Sequence, residues 1–165
     1  MSLARVCKHA LVPHWWAVRA FPQVLLAAIE AAVATSETRH SGELRFVVEG
    51  PLPAAALLAG QTSRQRAVDL FAQLRVWDTE DNSGVLIYLQ LVDRKVEIVA
   101  DRGIHARVGQ GFWEAVCGRL QAEFGAGRFE AGALAAIGEI TEALATHFPP
   151  RSNNPHELPD QPVVL

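Results

Sequence analysis

The chain predicts an α/β fold: a small mixed sheet, built as a β-α-β unit plus a hairpin, with helices on both faces. Three observations carry this. Apolar residues between Pro22 and Val33 recur at three- and four-residue spacing, the mark of a helix with one buried stripe. The stretch 84-GVLIYLQLV-92 is apolar on both faces apart from Gln90, as a central strand covered on each side must be. A two-residue link, Asp93-Arg94, joins it to 95-KVEIVAD-101, so the last two strands run antiparallel.

Taken in order, residues 3–19 suggest a short helix and a loop that docks Trp15 and Trp16. Pro22 suits a first helical turn, and Val24, Leu25, Ala28, Ile29, Ala32 and Val33 form the stripe behind it. The helix should fail near Ser36-Glu37, before the turn 39-RHSG-42. In 43-ELRFVVE-49, Leu44, Phe46 and Val48 alternate with Glu43, Arg45 and Val47, a strand with one face more buried than the other. After a proline- and alanine-rich connection, Thr62 and Gln65 match a capping box opening a helix to Leu74, with Ala67, Val68, Phe71 and Leu74 inward. The carboxyl half reads as two helices. Trp113, Val116, Leu120 and Phe124 mark the first, which 125-GAG-127 stops; Leu134, Ile137, Thr141 and Leu144 mark the second, from Phe129 to His147. The expected organisation is an N-terminal extension (1–21) packing on the domain, an α/β domain (22–148) and a flexible proline-rich tail (149–165).

At 165 residues the chain suits one domain with a real core. A net charge of −3 gives no basic footprint for nucleic acid. Cys7 and Cys117 lie outside any CxxC spacing and read as buried thiols in a reducing compartment. His9, Pro13 and His14 interrupt the amino-terminal apolar stretch, and no run reaches the ~18 apolar residues of a membrane span. The expectation is a cytoplasmic protein without membrane insertion, open to a protein partner.

If the first two strands are parallel and the third returns, the start of the second strand meets the end of the third at one sheet edge. The start of the first strand, with His40 and Glu43, should reach the same edge. Asp78, Glu80, Asp81, Asn82, Asp101 and His105 would then converge there. Clustered Asp, Glu and Asn oxygens are what a divalent cation such as Ca²⁺ takes. The spacing is not that of an EF-hand: Gly84 falls one place late, and the twelfth position from Asp78 is Leu89. A solvated turn entering a buried strand explains the same residues. His105 reads as a ligand or general acid, or as a surface histidine; Arg102 and Arg107 as phosphate binders, or as ion-pair partners of Asp101. His14-Trp15-Trp16 reads as an exposed aromatic anchor, or as packing against the first helix. Motifs for a serine nucleophile elbow, a zinc protease or a phosphate-binding loop are absent.

Three motifs resemble the TPM domain family: Trp77 with a polar loop and 84-GVLIYL-89; 96-VEIVADRGIHARVG-109; and 124-FGAGRFEAG-132. The resemblance spans about Arg39 to Phe148. It implies a three-layer α/β/α sandwich, and a binding or accessory module with a divalent-cation (Ca²⁺) site at the acidic edge. The alternative it implies is a weak metal-dependent acid phosphatase using the same loops. Ser83 stands where the family's pattern has Asn, Asp101 where it has Gly, and Val99 and His105 where it often has Glu. The loss of those acids weakens an oxygen-rich site.

Overall fold

The computed structural model describes residues 3–13, 15–151 and 157–165. Four strands, β1 (Leu44–Glu49), β2 (Val85–Gln90), β3 (Lys95–Ala100) and β4 (Val163–Val164), form one sheet in the order β3-β2-β1-β4. β1 pairs parallel with β2, Leu44 opposite Val85, and β2 pairs antiparallel with β3, Val85 opposite Ala100. The starts of β1 and β2 therefore meet the end of β3 at one edge, as expected. The hairpin differs in detail. Its loop is four residues, 91–94, with Arg94 at φ 54°, which relieves Asp93-Arg94 of a two-residue turn it is poorly suited to form.

Side chains alternate across the sheet and fill two cores. Leu44, Phe46 and Val48 of β1 and Val85, Ile87 and Leu89 of β2 pack beneath α3 (Gln23–Glu37), α7 (Gln110–Gly125) and α8 (Phe129–His147). Val47, Leu86, Tyr88 and Val99 face the other way, against Ala67 and Leu70 of α5 (Ser63–Gln73) and against Leu158. β1 is thus buried along its whole length on both faces, not on one. The Thr62–Gln65 capping box opens α5, and Gly127, at φ 76°, follows the end of α7. The inward stripe of α5 contains Leu70 in place of Val68, which is 46% exposed.

Two short helices occupy segments expected as irregular: α4 (Ala54–Leu58) and α6 (Arg102–Val108). Asp101 caps α6 through its side chain, a signal present in the sequence but short of the apolar periodicity that reveals longer helices. The N-terminal extension folds as α1 (Leu3–Leu11) and α2 (Trp15–Ala20). It docks through Ala17 and the adjoining Phe21, both buried, while Trp15 stays 62% exposed. His14 lies outside the described residues. Cys7 is exposed and Cys117 partly buried, both as free thiols, so the expectation of two buried thiols fails at Cys7.

The described part of the C-terminal segment is not a free tail. Glu157 and Leu158 donate their backbone N–H groups to the Glu43 carboxylate at 3.1 Å each, and Leu158 is buried. Beyond them β4 pairs parallel with β1, and Leu165 exchanges backbone bonds with Val48 and Gly50. Proline richness suggests a loose tail, but the open edge of β1 and an unsatisfied buried carboxylate both require this segment. Leu158→Ala is therefore expected to cost about 2 kcal/mol in urea denaturation, whereas a solvated tail would show no loss.

Candidate functional site

The loop that enters β2 is built to approach α6 closely. Asn82 takes φ 53°, and its carbonyl accepts from the N–H groups of Gly103 at 2.9 Å and Ile104 at 3.3 Å. A Cβ on Gly103 would stand 2.5 Å from the Asp81 carbonyl oxygen, so only glycine fits. Asp101 is 7% exposed; its Oδ1 accepts from Arg102 N–H at 2.6 Å, while Oδ2 has no hydrogen-bond partner among the described residues.

Glu80 and Asp81 are brought together by a residue that sequence reading left in the tail. Arg151 places Nη1 2.8 Å from Glu80 Oε2 and Nη2 2.6 and 2.5 Å from the two Asp81 oxygens. Asp81 first, then Glu80, hold the guanidinium more firmly protonated. Ser41 Oγ also donates to Asp81, at 3.3 Å. Asp78 stays exposed outside this group. His105 turns elsewhere: it lines a cavity of about 430 Å³ beside β3 with Glu97, Trp113, Glu114 and Cys117. Arg107 lies over the Phe148 ring, 5.9 Å from its centroid. Among the described residues no three His, Cys, Asp or Glu side chains gather as a group that could hold a metal ion. In this arrangement Arg151 already engages the Glu80 and Asp81 oxygens that such an ion would need.

Glu43 is buried under the C-terminal segment, and His40 is buried against Ser36 of α3. His40 Nδ1–H donates to the Gly42 carbonyl at 3.0 Å, and Nε2 lies 2.7 Å from Ser36 Oγ. Burial pushes its pKa down to about 4, against the raising effect of the Gly42 carbonyl. Arg45, 5% exposed on the inner strand β1, is surrounded by the charges of Glu37, Asp160 and Glu43. Burial pushes the Glu37 carboxyl up to about 9, reinforced by Glu43, while the Leu44 N–H, which it accepts at 3.1 Å, opposes the rise. Sequence reading missed Glu37, Arg45 and Asp160. The one available signal was an arginine on the inward-facing alternation of a strand, two residues from Val47.

With this geometry, the TPM domain description matches residues 20–143, three quarters of the sequence. The chain belongs to the TPM domain family. Among solved structures it is similar to the BA42 protein of the psychrophilic bacterium Bizionia argentinensis. They share 30% identity at a TM-score of 0.73, over 86% of this chain and 93% of that one. The N-terminal domain of a protein from P. gingivalis shares the fold at a TM-score of 0.60 and 16% identity, over 91% of this chain and 97% of that one. A comparison with curated proteins finds no match. The family's α/β fold with a mixed sheet is the one observed here.

Two buried groups, His40 and Glu37, set opposing pH dependences. His40, its pKa lowered, contributes stability that is complete above about 6.5 and is lost as pH falls toward about 4. Glu37, its pKa raised, contributes stability present below about 4.5 and lost as pH rises through about 9. Above pH 6.5 only the Glu37 effect remains of the two. Unfolding free energy of this TPM domain should then decline with a slope of up to about 1.4 kcal/mol per pH unit. Glu37→Gln, which keeps the acceptor for Leu44 N–H, should flatten that decline in denaturant titrations at pH 7, 8 and 9; an unchanged slope would assign it to another group.

Proposed function

We propose that this TPM domain is a binding or accessory module whose acidic edge serves as an ionic latch for its C-terminal segment, with a divalent cation able to reach that edge only in competition with Arg151. The observation that supports this is the Arg151 guanidinium spanning Glu80 and Asp81. A guanidinium bound to two carboxylates occupies the oxygen lone pairs that a Ca²⁺ ion would need. The neighbouring groups are committed as well. Asp101 Oδ1 caps α6, the Asn82 carbonyl receives that helix's first N–H groups, and His105 faces the cavity beside β3. General acid or base work needs a proton-transferring side chain within hydrogen-bond reach of a bound reactant. Here Glu80 and Asp81 are engaged in holding chain to chain.

The latch lies at the surface, so its ion pairs add little stability and are open to exchange. Removing the guanidinium leaves Glu80 and Asp81 as adjacent uncompensated carboxylates, the condition that favours a hard cation. Arg151→Ala is expected to bind Ca²⁺ about tenfold more tightly than the parent chain, read by calorimetry and by a Ca²⁺-dependent rise in Tm. Asp81→Asn should remove that gain. Equal Ca²⁺ affinity in parent and Arg151→Ala would overturn the latch. Metal-dependent p-nitrophenyl phosphate turnover that disappears with Asp81→Asn would replace the module reading with a phosphatase.

A further inference from the structure

The helix α1 is built with its polar side inward. Arg5 donates from Nε and Nη2 to Asp93 Oδ2, at 2.9 and 2.7 Å, and from Nη1 to the Gln61 carbonyl at 2.7 Å. His9 Nδ1 accepts from the Leu52 N–H at 3.0 Å, which leaves Nε2–H to donate to Asp93 Oδ1 at 3.1 Å. Holding this side against the domain turns the opposite stripe, Leu3, Cys7 and Leu11 at four-residue spacing, to the outside. Leu3 is 76% and Leu11 82% exposed. On α2 and at the start of α3 the pattern continues, with Trp15, Val18 and Val24 also more than half exposed. An ordinary surface helix hides its apolar stripe and shows its polar side. Six of the ten large hydrophobic residues exposed among the described residues fall before residue 25, so they concentrate on these three helices instead of scattering along the chain.

Charge distribution says what covers it. The whole chain carries −3, yet its first acidic residue is Glu30. Lys8 and Arg19 sit among the exposed apolar residues and make no ion pair among the described residues. Arg94 and Lys95, equally unpaired among the described residues, approach Trp16 and Ala20 from the β2–β3 hairpin and line a cavity of about 410 Å³ with them. Single apolar side chains projecting from three successive helices, indoles among them, with cations around them and Asp93 already paired with Arg5 and His9, match the boundary between acyl chains and anionic headgroups. A second copy of the chain would set Lys8 and Arg19 against like charges. We infer that α1, α2 and the first turn of α3 dock this domain peripherally on an anionic lipid bilayer. Among the described residues no helix is long and apolar enough to cross a membrane, so the helices lie on its surface. This goes beyond the reading of the acidic edge and involves none of its residues.

The test is co-sedimentation of the full chain with vesicles of phosphatidylcholine alone and of phosphatidylcholine with phosphatidylglycerol, with tryptophan emission followed in parallel. Binding and a blue shift are expected with the anionic vesicles, weakening at least tenfold in 0.5 M NaCl. Leu11→Glu with Val18→Glu, both exposed and so compatible with an unchanged far-UV spectrum and Tm, should reduce binding at least tenfold. Lys8→Glu with Arg19→Glu should do the same while leaving the weak affinity for neutral vesicles unaltered. No binding to anionic vesicles, or full binding by the Leu11→Glu, Val18→Glu variant, would overturn the proposal. So would a concentration-dependent dimer in light scattering that this variant dissolves, which would place a second copy on the patch.

Discussion

A guanidinium buried in the middle of a sheet organises one face of this protein. Arg45 stands on β1, between β2 and β4, where an isolated charge would cost several kcal/mol. The fold meets that cost by surrounding it with carboxylates drawn from three places: Glu37 at the end of α3, Glu43 two residues before Arg45, and Asp160 from the C-terminal segment. More carboxylates than cations then share the site, and the surplus is handled in two ways. Glu37 is driven toward its protonated form, and Glu43 is held by the backbone N–H groups of Glu157 and Leu158. The C-terminal segment is thus required electrostatically before it contributes apolar area or the extra strand β4.

The two ends of the chain are fastened by similar chemistry at opposite ends of the sheet. At the end where β2 turns into β3, Asp93 receives Arg5 and His9 of α1; burial raises its pKa, and those two donors outweigh it, so its carboxylate form prevails. At the end where β2 begins, Asp81 and Glu80 receive Arg151. Both fastenings set a carboxylate of the sheet's loops against a cation from outside the TPM-matched residues 20–143. The difference is exposure. Asp93 bonds a fully buried histidine and a largely buried arginine, whereas Arg151 sits at the surface, where ion pairs exchange readily.

A third polar cluster shows the same economy at the far end of β1. Glu49 accepts a forked pair of bonds from Arg66 and the Tyr88 hydroxyl at 2.6 Å, and burial with that carboxylate raises the tyrosine pKa strongly. Each end of β1 therefore carries a charged group tied to another layer, and the apolar residues between them fill the two cores. Such ties pin the strand register, because a one-residue slip would send Arg45 and Glu49 into the apolar face beneath α3, α7 and α8.

Local pattern determined the long elements. The 3.6-residue periodicity of 129–147, the unbroken apolar run of 85–90 and the Thr62–Gln65 cap each encode structure within a dozen residues, so α8, β2 and the start of α5 were legible from the sequence alone. The parallel pairing of β1 with β2 followed from chain order, and with it the meeting of the Asp81 and Asp101 loops at one edge. Tertiary structure alone decided what the charged side chains do there. Arg151 lies seventy residues beyond Asp81, and Asp160 lies far from Glu37; no local spacing links them. It also decided which side of α1 faces outward. Amphipathic spacing defines two sides of a helix, but Asp93, arriving from a distant hairpin, selected the polar one for the interior.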